Sequence, residues 1–277
     1  MLKGHNSSIH WISPLGIFMC LLLSIPNANA QTPTLINMCY EEQELEPYFM
    51  GTGHQTPEQY PGIFVEIVQL LDNNVPDVSI IMHRAPWKRC LNELKQNISD
   101  VVISSYTPDR ESFAVYPTAE GKLDENQAIS MSQYCLFTKR SSELVWNGQQ
   151  FSTIPDKPVS VPQGYSIISM LENHKLPLVF TNSSVAAMDL LAKAVTSGTV
   201  TYCEAGANYL WKNADRNTGV IAQSPTLSQK YAYLVFSKSF EQTYPSLTRQ
   251  LWREVASIRD STFPRLLDKY ESLKFDE

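Results

Sequence analysis

The apolar residues of this chain fall into short runs and helical stripes that alternate along its first third. Thr34–Tyr40, Val78–Met82 and Val101-Val102-Ile103 read as strands, the last of them buried. Pro61-Gly62 opens a helix whose Phe64, Ile67, Val68 and Leu71 share one face, and Pro86 starts a second striped by Trp87, Cys90, Leu91 and Leu94. Strand, helix, strand, helix, strand predicts an open α/β sheet with right-handed crossovers. A polar, irregular passage from Thr118 to Ser132 follows, and then the alternation resumes. Tyr134–Lys139, Pro158–Val161 and Thr199–Cys203 are predicted strands. Ile167, Ile168 and Leu171 mark one helix between them. Ala187, Leu190, Leu191 and Ala194 mark another, which Ser184 caps and Gly198 ends. After a second irregular stretch to Lys230, Tyr231–Phe236 is the last strand. Two helices complete the chain, striped by Leu247, Leu251, Val255 and Ile258 and by Leu266, Leu267 and Tyr270.

The first thirty residues stand outside this pattern. Lys3 precedes a short apolar run, Trp11 to Ile25, which contains Pro14 and is shorter than the ~20 residues a spanning helix needs. Ala28-Asn29-Ala30 is a small-x-small cleavage site, so residues 1–30 read as a signal peptide removed after Ala30. The remainder is long enough for one large domain or two lobes. A net charge of −6 argues against nucleic acid or an anionic membrane as partner. Export leaves Cys39, Cys90, Cys135 and Cys203, an even number suited to two disulfides, with three pairings open. Neither these cysteines nor His54, His83 and His174 have metal-ligand spacing, and no cofactor is expected. A GxSxG elbow, a Walker loop and a complete GxGxxG fingerprint are all missing.

Candidate chemistry concentrates at strand ends. The segment Asp100 to Pro117, DVVISSYTPDRESFAVYP, runs from an apolar strand into hydroxyls and then Arg110. A guanidinium fork with Ser105 beside it suits a carboxylate, and the competing reading is a surface ion pair. In open α/β sheets ligands bind beyond the carboxyl ends of strands. Both this loop and the acidic, aromatic loop Glu41–Phe49 lie at such ends. Pro162–Ser166 leads into a helix, with Gly164 relieving the turn and Ser166 able to cap. Glu204 suits an ammonium or, alternatively, a helix cap. Tyr48, beside Pro47, suits stacking on a ligand, whereas Trp87 reads as core.

With those residues in place, the chain resembles the family 3 extracytoplasmic solute-binding proteins of polar amino-acid ABC transporters, from Leu35 to about Tyr270. The matching pieces are Glu46-Pro47-Tyr48, Gly62 with Glu66, Pro86-Trp87-Lys88-Arg89-Cys90-Leu91, Ser105 to Arg110 with Tyr116-Pro117, Val161 to Ser166, and Tyr202-Cys203-Glu204. The resemblance implies an α/β fold of two lobes, two open sheets joined by two crossing segments. Residues 31–120 plus 230–277 would form lobe 1 and residues 121–229 lobe 2, with the crossings in the two irregular passages. It implies a periplasmic monomer, not an enzyme, that captures an amino acid or related carboxylate by lobe closure and delivers it to an inner-membrane permease or a sensor. Arg110 would hold the ligand carboxylate with Ser105 and Ser166 assisting, Glu204 would receive its amino group, and Tyr48 would cover its side chain. Two departures stand out: Ser99 replaces the usual Gly before Asp100, and Glu204 replaces a commoner Asp. Because a bridge between lobes would obstruct closure, the implied pairing is Cys39–Cys90 and Cys135–Cys203. Some relatives with this fold act on cyclohexadienyl acids, so a dehydratase with Glu204 or Glu42 as general acid is the rival, and a ligand sensor without a transporter is a third reading.

Overall fold

A computed structural model describes Gly4, residues 32–216 and residues 218–273. Apart from Gly4, the expected signal peptide and its cleavage site lie outside the described residues. Among the described residues no helix is long and apolar enough to cross a membrane.

The first unit contains β1 (Thr34–Glu41), α1 (Ile63–Asn74), β2 (Val78–Ala85), α2 (Trp87–Lys95) and β3 (Val101–Ser105). Parallel β1 lies between β2 and β3, as the alternating pattern predicts, with Met38 opposite Val101. A 3-10 turn at Pro108–Ser112 carries Arg110, and then come β4 (Ala114–Val115) and a small hairpin of β5 (Thr118–Ala119) and β6 (Lys122–Leu123). The second unit contains β7 (Ser130–Lys139), β8 (Val159–Pro162), α3 (Ile168–Asn173), β9 (Leu178–Thr181), α4 (Ser184–Ala192), β10 (Gly198–Tyr202), α5 (Cys203–Lys212) and β11 (Val220–Ala222). The chain returns through β12 (Ser228–Ser237), α6 (Lys238–Thr243) and α7 (Pro245–Ser272).

Strand order is β2-β1-β3-β12-β7-β10-β8-β9. The two expected half-sheets are therefore present, and the segments that join them are themselves strands. Residues 130–134 of β7 pair antiparallel with residues 228–232 of β12, so hydrogen bonding runs unbroken from one half to the other. The sequence assigned this part of the chain to irregular passages. Ser130, Ser132, Ser228 and Lys230 dilute the apolar alternation there, and only partner strands reveal the pairing.

Each half-sheet is buried on both faces, which explains its nearly continuous apolar strands. Met38, Ile103 and Leu234 pack against α1 and α7 residues such as Phe64, Leu71, Leu251 and Val255. Their neighbours Cys39, Val102 and Val235 face Cys90 and Leu94 of α2. In the second half Leu136 and Val200 join Val161 and Leu171, while Phe137 joins Met188, Leu191 and Tyr209. Both disulfides of the expected pairing form, Cys39–Cys90 tying α2 to β1 and Cys135–Cys203 tying α5 to β7.

Several local expectations change. Ser183 rather than Ser184 caps α4, its hydroxyl accepting from the Ala186 N–H at 3.0 Å. Ser166 does not cap α3, whose cap position is Ile167. The two expected C-terminal helices are one helix through Pro264, because Leu251, Val255, Ile258, Leu266 and Tyr270 stay buried along its length. That burial outweighs the hydrogen bond that the proline ring removes.

Candidate functional site

A cavity opens where β1, β3, β8 and β10 end. Glu41 and Leu45, Tyr48 and Phe49, Ser104, Ser105 and Arg110 line one side; Gly164, Tyr165, Ser166 and Tyr202 line the other. Water centres have about 40 Å³ there, room for roughly three molecules.

Arg110 is the organising group. Its side chain is only 5% exposed, and Nη1 donates to the Ser104 hydroxyl and to the Ser105 carbonyl (2.6 Å). Nη2 reaches across the cavity to the Gly164 carbonyl at 2.6 Å. The ring of Trp87 lies beside the guanidinium, 5.9 Å from its carbon, and Trp87 Nε1–H donates to the same Gly164 carbonyl at 3.1 Å. Trp87 is thus a cavity wall as well as a packing residue, which a helical stripe alone did not reveal. Gly164 has a φ of +77°, and a Cβ there would lie 3.2 Å from the Trp87 ring, so glycine suits both the turn and the close approach. Among the described residues no acid pairs with Arg110. A surface ion pair is therefore not its role. It is a buried cation held by neutral acceptors, a costly arrangement unless an anion joins it.

Four of the five expected ligand residues, Tyr48, Ser105, Arg110 and Ser166, line the cavity. The details differ from the expectation. Ser104, which the sequence did not single out, supplies the hydroxyl to Arg110, while Ser105 meets it with its backbone carbonyl. The Tyr48 ring stacks on Phe64 at 4.7 Å, and its hydroxyl accepts from Ser132 at 3.2 Å. Ser166 Oγ lies 3.3 Å from the Tyr134 hydroxyl. Glu204 is not among the lining residues. It sits in the first turn of α5, with one buried oxygen lacking a hydrogen-bond partner among the described residues. Burial raises its carboxyl above the usual range, and its charge in turn raises the Tyr48 phenol, where burial is the larger cause.

The acid that does line the cavity is Glu41. It is the last residue of β1, one position before the Glu42 that sequence reasoning had weighed as an acid. A single step along a strand reverses the face. Glu42 turns instead to His54 at 3.1 Å. Glu41 is 4% exposed, and burial pushes its carboxyl up to about 8 against the opposing effects of the Tyr165 hydroxyl (3.4 Å) and the Arg84 charge. Tyr165 and Tyr202 belong to the opposite wall, and buried Tyr134 backs them, stacked on Tyr202 at 4.5 Å. Burial raises all three phenols, so they act as neutral hydrogen-bonding groups. Tyr165 and Tyr202 share a sequence signal, a position at or just beyond a strand end, whereas Tyr134 lies inside β7.

Above the cavity the two halves meet again. Lys212 of α5 pairs with Glu46 (2.7 Å) and Glu44 (3.2 Å), and Asn208 donates to the Glu46 carbonyl at 3.3 Å. Elsewhere, among the described residues, Cys39, His83 and Glu93 cluster closely enough to suggest a metal, but the sulfur is committed to a disulfide.

No protein-family model and no curated protein matches the chain. Solved structures do. The arginine-, lysine-, histidine-binding protein ArtJ from Geobacillus stearothermophilus superposes with a TM-score of 0.66 at 12% identity, covering 86% of this chain and 95% of that one. A histidine kinase sensor domain with similarity to periplasmic binding proteins gives 0.64 at 14% identity, covering 89% and 96%. The ancestral amino-acid-binding protein AncCDT-1, a precursor of cyclohexadienyl dehydratase, gives 0.62 at 14% identity, covering 85% and 94%. The chain has the two-lobed α/β fold of these proteins, as the sequence resemblance implied.

Proposed function

We propose that this chain is an extracytoplasmic solute-binding protein that captures a small zwitterion, an amino acid, between two lobes that close on it. The buried Arg110 guanidinium, unpaired with any described acid and facing a cavity at strand carboxyl ends, carries this reading. Lobe 1 comprises residues 31–120 and 230–277 and lobe 2 residues 121–229. Arg110 receives the ligand carboxylate, Ser105 and Ser166 supply hydroxyls, and Tyr48 covers the ligand side chain. The cross-cavity bonds from Arg110 and Trp87 to Gly164 give way when the lobes part and ligand enters. The captured ligand then passes to a permease or a sensor; the likeness to a histidine kinase sensor domain supports the second route.

The test is a thermal-shift screen over amino acids and small carboxylates, with Arg110→Ala as its control. A ligand at 100 times its Kd should add ~2.7 kcal/mol of stability. Arg110→Ala should weaken binding by roughly 2–5 kcal/mol in calorimetry, since it leaves a carboxylate buried and unpaired. Affinity within a factor of a few of wild type would overturn the role of Arg110. A second reading, a dehydratase acting on a cyclohexadienyl acid, is supported by Glu41, a cavity acid protonated at neutral pH and so equipped as a general acid. Formation of aromatic product from such an acid, lost in Glu41→Gln, would establish it instead.

A further inference from the structure

We propose that Glu41, rather than Glu204, receives the ligand's ammonium group, and that its carboxyl proton leaves to solvent as the ligand binds. This rests on the zwitterion reading above and names the second half of the recognition.

The geometry begins with strand register. Met38 of β1 lies opposite Val101 of β3 in a parallel pair, so three residues on, Glu41 comes level with Ser104. Ser104 is the residue whose hydroxyl holds Arg110. An acid and a guanidinium therefore stand on adjacent strand ends of one wall, yet they form no ion pair within 4 Å among the described residues. A carboxyl and a guanidinium held near each other but apart fit a molecule that carries both an ammonium and a carboxylate. Glu204 lies outside the lining residues, on α5.

The groups that face Glu41 leave it without a committed counter-charge. Arg84 on β2 spends its guanidinium on the carbonyls of Glu41 (3.2 Å), Gln55 (3.2 Å) and Gly51 (2.7 Å). Tyr165, in the turn after β8, offers one hydroxyl at 3.4 Å. Glu42 adds a like charge, and Tyr202 at the end of β10 is neutral. Burial dominates, and the carboxyl is protonated at neutral pH. An ammonium placed beside it reverses the balance, because an opposite charge within ~4–6 Å lowers a carboxyl pKa by about 1–3 units. Binding then breaks the carboxyl O–H bond, leaves the electron pair on the carboxylate and passes the proton to buffer.

The twenty L-amino acids would be screened by thermal shift, and the tightest binder carried into calorimetry near pH 7 in phosphate and in Tris. These buffers differ widely in ionisation enthalpy, so the difference in measured heat gives the protons released per ligand. The expected result for wild type is a release approaching one proton and affinity that rises with pH toward about 8. Glu41→Gln, which keeps the shape and neutrality of the protonated acid, should release none and bind about tenfold or more weakly. Glu204→Gln should keep the proton release. Buffer-independent heat in wild type, with Glu41→Gln binding normally, overturns the proposal and leaves the zwitterion reading standing. Proton release lost in Glu204→Gln and retained in Glu41→Gln also overturns it. Failure of all twenty amino acids removes the zwitterion reading and this inference with it.

Discussion

Glu41 links local chemistry to measurable stability. Its folded pKa of about 8 lies above the ordinary 4.5, so the folded state holds a proton that the unfolded chain gives up between those values. Its contribution is fully present below pH 4.5 and is lost as pH rises through about 8. Urea unfolding between pH 5 and 9 should show stability falling with pH by on the order of a few kcal/mol, and Glu41→Gln should flatten that limb. Arg110 was legible as a candidate because it follows a strand's carboxyl end and its hydroxyls, where open α/β sheets place ligands, while its residue type alone left a surface ion pair open. Glu41 was not, because it sits in the run Glu41-Glu42-Gln43-Glu44 where residue type cannot say which acid faces inward. Ser104 and Ser105 pose the same problem: both are buried, but only the tertiary structure turns the Ser104 hydroxyl and the Ser105 carbonyl to Arg110.

At the level of elements, the helices of the first half were legible from their stripes, and the disulfides show what holds them. Each bridge fastens one helix to one strand within a half, across separations of 51 and 68 residues. Loop-closure entropy at such lengths amounts to about 4 kcal/mol per bridge. Reduction should therefore lower the denaturant midpoint substantially, and replacing either Cys pair by alanine should show the two contributions separately. In α5 the demand is also steric. A Cβ on Gly206 would come within 2.1 Å of the Phe137 ring, so the helix lies close on β7 where Cys203 is tied. Elements with weak apolar signals were missed: β9 is a short strand with Phe180 exposed, and α6 has Phe240 as its buried residue.

For the molecule as a whole, the question is what holds the two halves over the cavity. Lys212, Glu44 and Glu46 form a partly exposed ion-pair cluster between α5 and the loop after β1. If ligand binding closes the lobes, this cluster favours the closed form. Lys212→Met should then weaken ligand binding by roughly two- to fivefold, the size expected of an exposed pair. The wild-type advantage should shrink at high salt, where screening reaches such pairs. Titrations of both proteins at low and high salt would check it, and equal affinities throughout would exclude a latch. Cross-cavity bonds from Arg110 and Trp87 to Gly164 belong to the same scale, since their donors and acceptor are more than fifty residues apart in the chain.

The sequence by itself determined the α/β alternation, the glycine turn at Gly164 and the carboxyl-end location of the chemistry. These follow from periodicity, local backbone freedom and the geometry of parallel strands. It also carried the resemblance from which the disulfide pairing and the two-lobed fold were inferred. Tertiary structure decided which faces met: that β7 and β12 join the half-sheets as paired strands, that Tyr165 and Tyr202 line the cavity with Tyr134 behind them, and that Glu41 rather than Glu42 or Glu204 lines it too. The physical reason is that inward or outward direction depends on strand register and on distant partners. Burial, which raises the Glu41 carboxyl and surrounds Arg110 with neutral acceptors, is a property of the assembled fold.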